Sequence, residues 1–319
     1  MRCLVTAIGS MSAEAVIRGI MRQPGAEVVG CNMYPKEWTA ASRLVEHFHL
    51  LPSSREEESY VARLLEVCKN EQISHIIPLT DPEVDVLSAH RERFSEIGVT
   101  LCISPQPAIQ VARDKLAVYQ RFANHPRIHP IPTVDLKDGR QPGFPYPMLA
   151  KPRRGRSSEK HVLIPDAVML QCWRTQLAKQ DYIVQPHLAG KVFAVDVVRQ
   201  PDGRRSVAMT RQELVRTANG AGMTVHMQPA HTCDGLALEA AEILDVCGCL
   251  NMEFLFVDGF PMLMDVNPRV SAGVAFSVMA GYDMIGNHLR CFDGCQIAPC
   301  SPPLGKIYAR GLIEYSLQE

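Results

Sequence analysis

Apolar and polar residues follow two different rhythms along this chain. In the first hundred positions an apolar run at 2–9 closes on Gly9, and Ala13, Val16, Ile17, Ile20 and Met21 then recur at helical spacing. A second apolar run at 27–33 predicts another strand. Val61, Leu64, Leu65 and Cys68 mark a second helix face, which leads into a strand at 74–79. Asp81-Pro82 then opens a helix, with a capping carboxylate and a proline at the first helical position, where its missing N–H costs nothing. Residues 99–104 add a strand. Strands alternating with helices predict a parallel sheet covered on both faces.

Prolines at 126, 130, 132, 142, 145 and 147 interrupt this rhythm, because proline at such density breaks regular elements. Beyond them the spacing is that of longer, antiparallel strands, at 148–152, 161–164, 182–187, 191–199 and 205–213, with helices at 166–179 and 234–247. Leu236, Ala240, Ile243, Leu244 and Cys247 share one face of the second helix, which buries it. The expected fold is therefore an α/β N-terminal βαβ domain with a parallel sheet, followed by an α+β half.

Composition narrows the function classes. With 319 residues, 46% hydrophobic and 21% charged, the chain can bury several cores. Lys and Arg number 33 against 34 Asp and Glu, a net charge of −1, so no basic field points to nucleic acid or to an anionic membrane. No apolar run reaches the ~18 residues of a membrane span, and Gly9-Ser10 interrupts the start before a signal peptide could finish. The expectation is a soluble, cytoplasmic protein. The 11 cysteines are odd in number and scattered, as reduced thiols packed like small apolar residues would be; Cys291, Cys295 and Cys300 lack the paired rhythm of a zinc site. The first turn, Gly9-Ser10-Met11-Ser12-Ala13-Glu14, lacks the spaced glycines of a dinucleotide site, and Glu14 would repel a pyrophosphate.

The sharpest chemistry lies near the end. Two apolar strands, 251–257 and 261–269, flank Asp258-Gly259-Phe260, and each carries polar oxygen ligands. Residues two apart on a strand share a face, so Asp265, Asn267 and Arg269 point one way, and Glu253 can join them from the partner strand. Two carboxylates and a carboxamide suit Mg²⁺ or Mn²⁺, which phosphate oxygens and waters complete. The plainer reading is a solvent-facing hairpin edge with Arg269 salt-bridged to Asp265. If the turn were Asp258-Gly259 alone, Val257 would pair with Phe260 and Glu253 would lie opposite Met264. The metal site therefore predicts a three-residue loop, 258–260, with Val257 paired to Pro261 and Met252, Phe254, Phe256, Met262, Met264 and Val266 on one apolar face.

Three further segments point to a nucleotide. Lys151 closes an apolar strand and precedes a loop with Gly155, Ser157 and Ser158, an arrangement that offers a fixed cation, backbone N–H groups and hydroxyls to a polyphosphate; a solvated basic loop is the plain alternative. Lys115 follows Asp114, a helix cap, and could equally be solvated. The strand at 182–187 breaks at Pro186, which either leaves backbone groups free for a flat ring edge or simply ends the strand.

In this order the four segments resemble the ATP-grasp superfamily, within it the branch of the carbamoyl-phosphate synthase large subunit and biotin carboxylase. The resemblance spans nearly the whole chain, since residues 76–83 and 104–115 are also similar to that family's N-terminal domain and junction. It implies an N-terminal domain (1–104), a small lid subdomain with its linker helix (105–187) and a C-terminal subdomain bearing the metal site (188–319). By the same resemblance Lys115 and Lys151 hold the ATP phosphates, with Ser157 and Ser158 in the covering loop. Gln185, Pro186, His187 and Leu188 meet adenine and ribose, and Leu255 lies under the adenine. Glu253, Asp265 and Asn267 hold Mg²⁺ (or Mn²⁺), Arg269 steadies the reacting anion, and Arg211, with Glu213 on the same strand face, is a further contact or an ordinary ion pair. The implied activity is ADP-forming ligation. A small-molecule carboxylate becomes an acyl phosphate and is joined to an amine or similar nucleophile, and a homodimer is compatible with this. A kinase without ligation and a degenerate nucleotide-binding module are the rival readings. No general base stands out; His187, His226 and His231 are no better than surface histidines. Three departures stand against the pattern. Gln185 and Val192 occupy positions where the family normally has glutamate at or near them; Gly155 is the one glycine of the phosphate loop; and Asp265 is shorter than the usual glutamate.

Overall fold

The computed structural model describes residues 1–155 and 159–317. Strands β1 (Arg2–Val5), β2 (Glu27–Asn32), β3 (His47–Leu50), β4 (His75–Ile77) and β5 (Thr100–Leu101) form a parallel sheet in the order β3-β2-β1-β4-β5. Helices α1 (Ala13–Met21), α2 (Glu57–Asn70), α3 (Asp81–Ala89) and α4 (Arg91–Ser95) alternate with them. Both faces are covered, which is why β1 is apolar throughout. Cys3 and Val5 pack with Val16, Ile17 and Ile20 of α1, while Leu4 joins Tyr60, Val61 and Leu64 of α2 on the other side. Edge strand β3 escapes the sequence pattern because its His-Phe-His-Leu side chains are half-buried or exposed.

The expected start of α3 is displaced by one residue. Thr80 is the N-cap, with extended backbone, and Asp81 and Pro82 are the first two helical residues. Asp81 turns its carboxylate to Arg269 instead of capping, since a guanidinium offers a charged bidentate partner where the helix offers neutral N–H groups.

Helices α5 (Gln106–Ala112) and α6 (Lys115–Phe122) lead through β6 (His129–Pro130) to a lid built of β7 (Val134–Asp135), β8 (Met148–Pro152), β9 (Val162–Ile164), α7 (Ala167–Lys179) and β10 (Tyr182–Pro186). The lid sheet runs β7-β10-β8-β9, all antiparallel. One face, with Met148, Ala150, Tyr182 and Val184, packs on Leu170 and Leu177 of α7.

The remaining elements are β11 (Lys191–Arg199), β12 (Ser206–Arg216), β13 (Gly222–Met227), α8 (Thr232–Ile243), β14 (Gly248–Val257), β15 (Phe260–Asn267), α9 (Val274–Met279), α10 (Met284–Phe292) and β16 (Ile307–Ala309). The strands build a seven-stranded sheet, β16-β13-β12-β11-β14-β15-β6. Thus β6, although it falls within 105–187, belongs to the large sheet, and Val118 and Phe122 of α6 share a core with Val195, Met252 and α8. The N-terminal domain docks through α1 on α10. Gly19 permits this, because a Cβ there would sit 2.6 Å from the Cβ of Ile285. Among the described residues no helix is long and apolar enough to cross a membrane.

The hairpin corrects one expectation and keeps its purpose. The turn is the two-residue Asp258-Gly259, both at positive φ (50° and 85°), and Val257 pairs with Phe260, not Pro261. Such a turn matches the twist of the flanking strands. Pairing then runs to Phe254 opposite Leu263, Met264 is left over as a bulge, and Glu253 comes to lie opposite Asp265 after all. The bulge also reassigns the apolar face: Leu263 joins Met252, Phe254 and Val266 in the core, while Met264 faces the cleft.

Candidate active site

A cleft of about 560 Å³ lies between the free face of the lid sheet, the polar face of the large sheet and the loops after β1 and β4, where Ser10 to Ser12 and Leu79 to Asp81 line it. Those loops leave the carboxyl ends of neighbouring strands whose connections run in opposite directions, the place where open α/β sheets form a crevice.

Strand parity aims the lid residues. Ala150 and Val184 face α7, so Leu149, Lys151 and Gln185, one residue away, face the cleft. Lys115 arrives from the first position of α6. Asp114 caps that helix by accepting from the N–H groups of Leu116 and Ala117, and the Arg153 guanidinium clamps the same carboxylate at 2.6–2.8 Å. Because Arg153 stands two residues after Lys151, this clamp holds the two lysines at one end of the cleft. Burial, then the Lys115 charge, pushes the Lys151 ammonium down to about 8, against the pull of Asp265 and Glu253.

On the large sheet the pairings Asp265–Glu253–Ala194–Arg211 and Asn267–Asn251–Asp196 form two adjacent rows. Directly opposed residues share a face, so Glu253, Asp265, Asn267 and Arg211 come together as expected. All twelve described candidates line the cleft: Lys115, Lys151, Gln185, Pro186, His187, Leu188, Leu255, Glu253, Asp265, Asn267, Arg211 and Arg269. Ser157 and Ser158 lie outside the described residues.

Ion pairs hold these charges. Lys115 Nζ is 3.2 Å from Asp265, Arg216 reaches Glu253 at 2.6 Å and Glu213 at 2.7 Å, and Arg211 pairs with the buried Asp196 at 2.7 Å. Burial, together with the carboxylates of Glu213 and Asp265, pushes the Glu253 carboxyl up to about 7 in spite of Arg216. Arg269 does not bridge to Asp265; it makes a bidentate pair with Asp81 at 2.9 and 3.0 Å. Gln185 donates its amide to the Thr133 hydroxyl at 2.8 Å.

Sequence reasoning missed Asp196, Asn251, Arg216 and His161, which line the cleft or brace it. A lone aspartate within Val-Phe-Ala-Val-Asp-Val-Val was a usable signal for Asp196, since an apolar strand carries a buried carboxylate only with a partner. Arg216 gave none, because Glu253 reaches it from another strand.

The residues fit a nucleotide and a hard cation. Two lysines converge at one end, and Leu255, Ile131 and Met264 supply apolar walls with the main chain of 186–188 beside them. Glu253 and Asp265 oppose each other, and burial, with the neighbouring carboxylates adding to it, pushes the Glu253 carboxyl up. Among the described residues no three His, Cys, Asp or Glu side chains gather, so a divalent ion here would use these two carboxylates, Asn267 and ligand oxygens.

A family model described as the PylC-like N-terminal domain matches residues 5–102, and one described as ATP-grasp in the biosynthetic pathway with Ter operon matches 178–306. A comparison with curated proteins finds none that matches. Among solved structures the chain is similar to biotin carboxylase from Campylobacter jejuni in complex with β,γ-ATP (TM-score 0.76, 14% identity, 93% of this chain and 72% of that one). It is also similar to N5-carboxyaminoimidazole synthetase from Staphylococcus aureus complexed with ADP (TM-score 0.73, 15% identity, 93% and 78%). A third is the biotin carboxylase domain dimer of Hydrogenobacter thermophilus 2-oxoglutarate carboxylase with MgADP, ADP and bicarbonate (TM-score 0.76, 15% identity, 92% and 70%). Residues 178–306 thus match an ATP-grasp model, and the parallel-sheet N-terminal domain, lid and large sheet together have the fold of these solved structures.

Proposed function

We propose that this protein is an ATP- and Mg²⁺-dependent ligase that activates a small-molecule carboxylate as an acyl phosphate and joins it to an amine or similar nucleophile. The observation that carries this reading is the meeting, in one cleft, of Lys115 and Lys151 from the lid side with Glu253, Asp265 and Asn267 from the large sheet. The solved relatives named with ATP, ADP or MgADP lend the nucleotide its support. The lysines would hold the phosphate chain, and residues 185–188 with Leu255 would hold the base. A divalent ion, when bound, supplies positive charge to the transferring phosphoryl group. The substrate carboxylate oxygen attacks the γ-phosphorus and ADP leaves; the nucleophile then attacks the acyl carbon and phosphate leaves with that oxygen. Such transfer needs positioning and electrostatics more than covalent help, which suits a site rich in fixed cations. The Hydrogenobacter relative is described as a dimer, and self-association of this chain is part of the same reading.

The test is a metabolite pool incubated with protein, ATP and Mg²⁺ and followed by mass spectrometry. Ligation predicts a condensed product, ADP, and transfer of ¹⁸O from the labelled carboxylate to phosphate. ADP formation with one substrate and no acceptor would mark a kinase. Nucleotide binding without ADP formation would mark a binding module, a reading favoured by the engagement of Gln185 with Thr133 in place of a carboxylate free for ribose.

A further inference from the structure

Strand β9 pairs antiparallel with β8, with Val162 opposite Ala150 and Leu163 opposite Leu149. Continuing that ladder by one residue sets His161 opposite Lys151. Opposed side chains share a face, and here the face is the cleft, which both residues line. The start of β9 is fixed by the Tyr182 hydroxyl, which donates to the Lys160 carbonyl at 2.9 Å. Burial first, then Lys151 and Lys115, push the imidazole down to about 4, with Asp265 pulling weakly the other way. Glu159 and Lys160 precede it along the chain. Among the described residues its ring has no hydrogen-bond or ion-pair partner.

Three nitrogen-bearing side chains from three elements, β8, α6 and β9, thus converge where two of them already repel a third charge. The residue is exposed and opens on the cleft beside two lysines. A polyanion answers all three at once. It neutralises the lysines, accepts the imidazole N–H, and favours its protonation. We propose that His161 is a third phosphate-binding side chain of this site, acting with Lys115 and Lys151 on the di- or triphosphate of the nucleotide.

The inference rests on the nucleotide reading of the cleft, and competition binding separates the two. A non-hydrolysable ATP analogue, ADP and AMP would each displace a fluorescent nucleotide from the wild type, His161→Ala and His161→Gln, with thermal melts confirming that the variants fold. The Ala variant should lose about tenfold or more in affinity for the ATP analogue, the scale of one charge-assisted bond. The loss should shrink through ADP to AMP, and the Gln variant, which keeps a donor, should lose less. An equal loss for all three nucleotides, or none in a folded variant that binds them, would overturn the role of His161 while leaving the nucleotide site standing. A wild-type protein that binds no nucleotide would overturn both.

Discussion

Lys151 is the residue whose environment says most about the site. It is 5% exposed, pairs with Ile183 near the end of β8, and loses part of its basicity to burial and to Lys115. Lys151→Ala should weaken ATP by tenfold or more, because a charge-assisted contact in a partly dry cleft is worth ~1.5–3 kcal/mol; calorimetry on the folded variant would show it. The sign of its pH dependence follows from the same cause. Burial and Lys115 hold the ammonium down to about 8, whereas bound phosphate favours the protonated form. Nucleotide affinity should therefore fall as pH rises through 8, and a flat profile up to pH 9 would place the phosphates elsewhere. Asp265→Asn tests the other pole. It removes one ligand charge, keeps the shape, and should abolish Mg²⁺-dependent ADP release at saturating Mg²⁺. Lys151, Glu253 and Asp265 stood out in the sequence because each interrupts an apolar pattern, whereas Lys115 entered through the family resemblance. Arg216 and His161 could not, because what gives them meaning is a neighbour on another strand.

Strand and helix positions were legible wherever burial imposes a period. The buried strands β1, β8, β11 and β14 were all foreseen, and so were the amphipathic helices α1 and α8. Five strands were not: β3, β13 and the short β6, β7 and β16. Edge strand β3 has no buried residue, and β13 mixes glycine, threonine and histidine among its apolar residues, so neither shows a clean alternation. The hairpin of β14 and β15 shows a subtler limit. Parity correctly required Glu253 opposite Asp265, but it assumed uniform pairing, and the chain met the requirement with a tight turn and a bulge at Met264. That turn makes a prediction of its own. Gly259 has φ 85°, a conformation that costs an L-residue about 1 kcal/mol relative to glycine. Gly259→Ala should lower stability by roughly that amount in a denaturant titration, while Asp258→Gly, at φ 50°, should be neutral or stabilising. Equal losses from both would mean that the turn is not of this type in solution.

At the scale of the whole molecule, the question is what keeps the N-terminal domain in register with a cleft built mainly by the other two sheets. Apolar docking of α1 on α10 supplies area, and one ionic knot supplies direction. Asp81, 1% exposed at the start of α3, takes both Nε and Nη2 of Arg269 from beyond β15, and Arg113 at the end of α5 stands 3.4 Å away. Three segments distant in sequence thus meet at one carboxylate on the wall of the cleft, a junction that no local pattern could announce. Removing one partner of a buried pair leaves the other charges uncompensated, which costs ~3 kcal/mol or more. Asp81→Asn should therefore lower the unfolding midpoint clearly. Its effect on the ATP analogue should stay within a few-fold, because Lys115 and Lys151 keep their own supports in Asp114 and Arg153. Lys151→Ala should do the reverse, losing nucleotide and sparing stability, since it relieves a desolvated charge beside a second lysine. Denaturant titration and calorimetry on the same two variants would read both quantities. If Asp81→Asn instead abolished nucleotide binding with stability unchanged, the Asp81–Arg269 pair would have to be part of the nucleotide site itself and not the tie between domains.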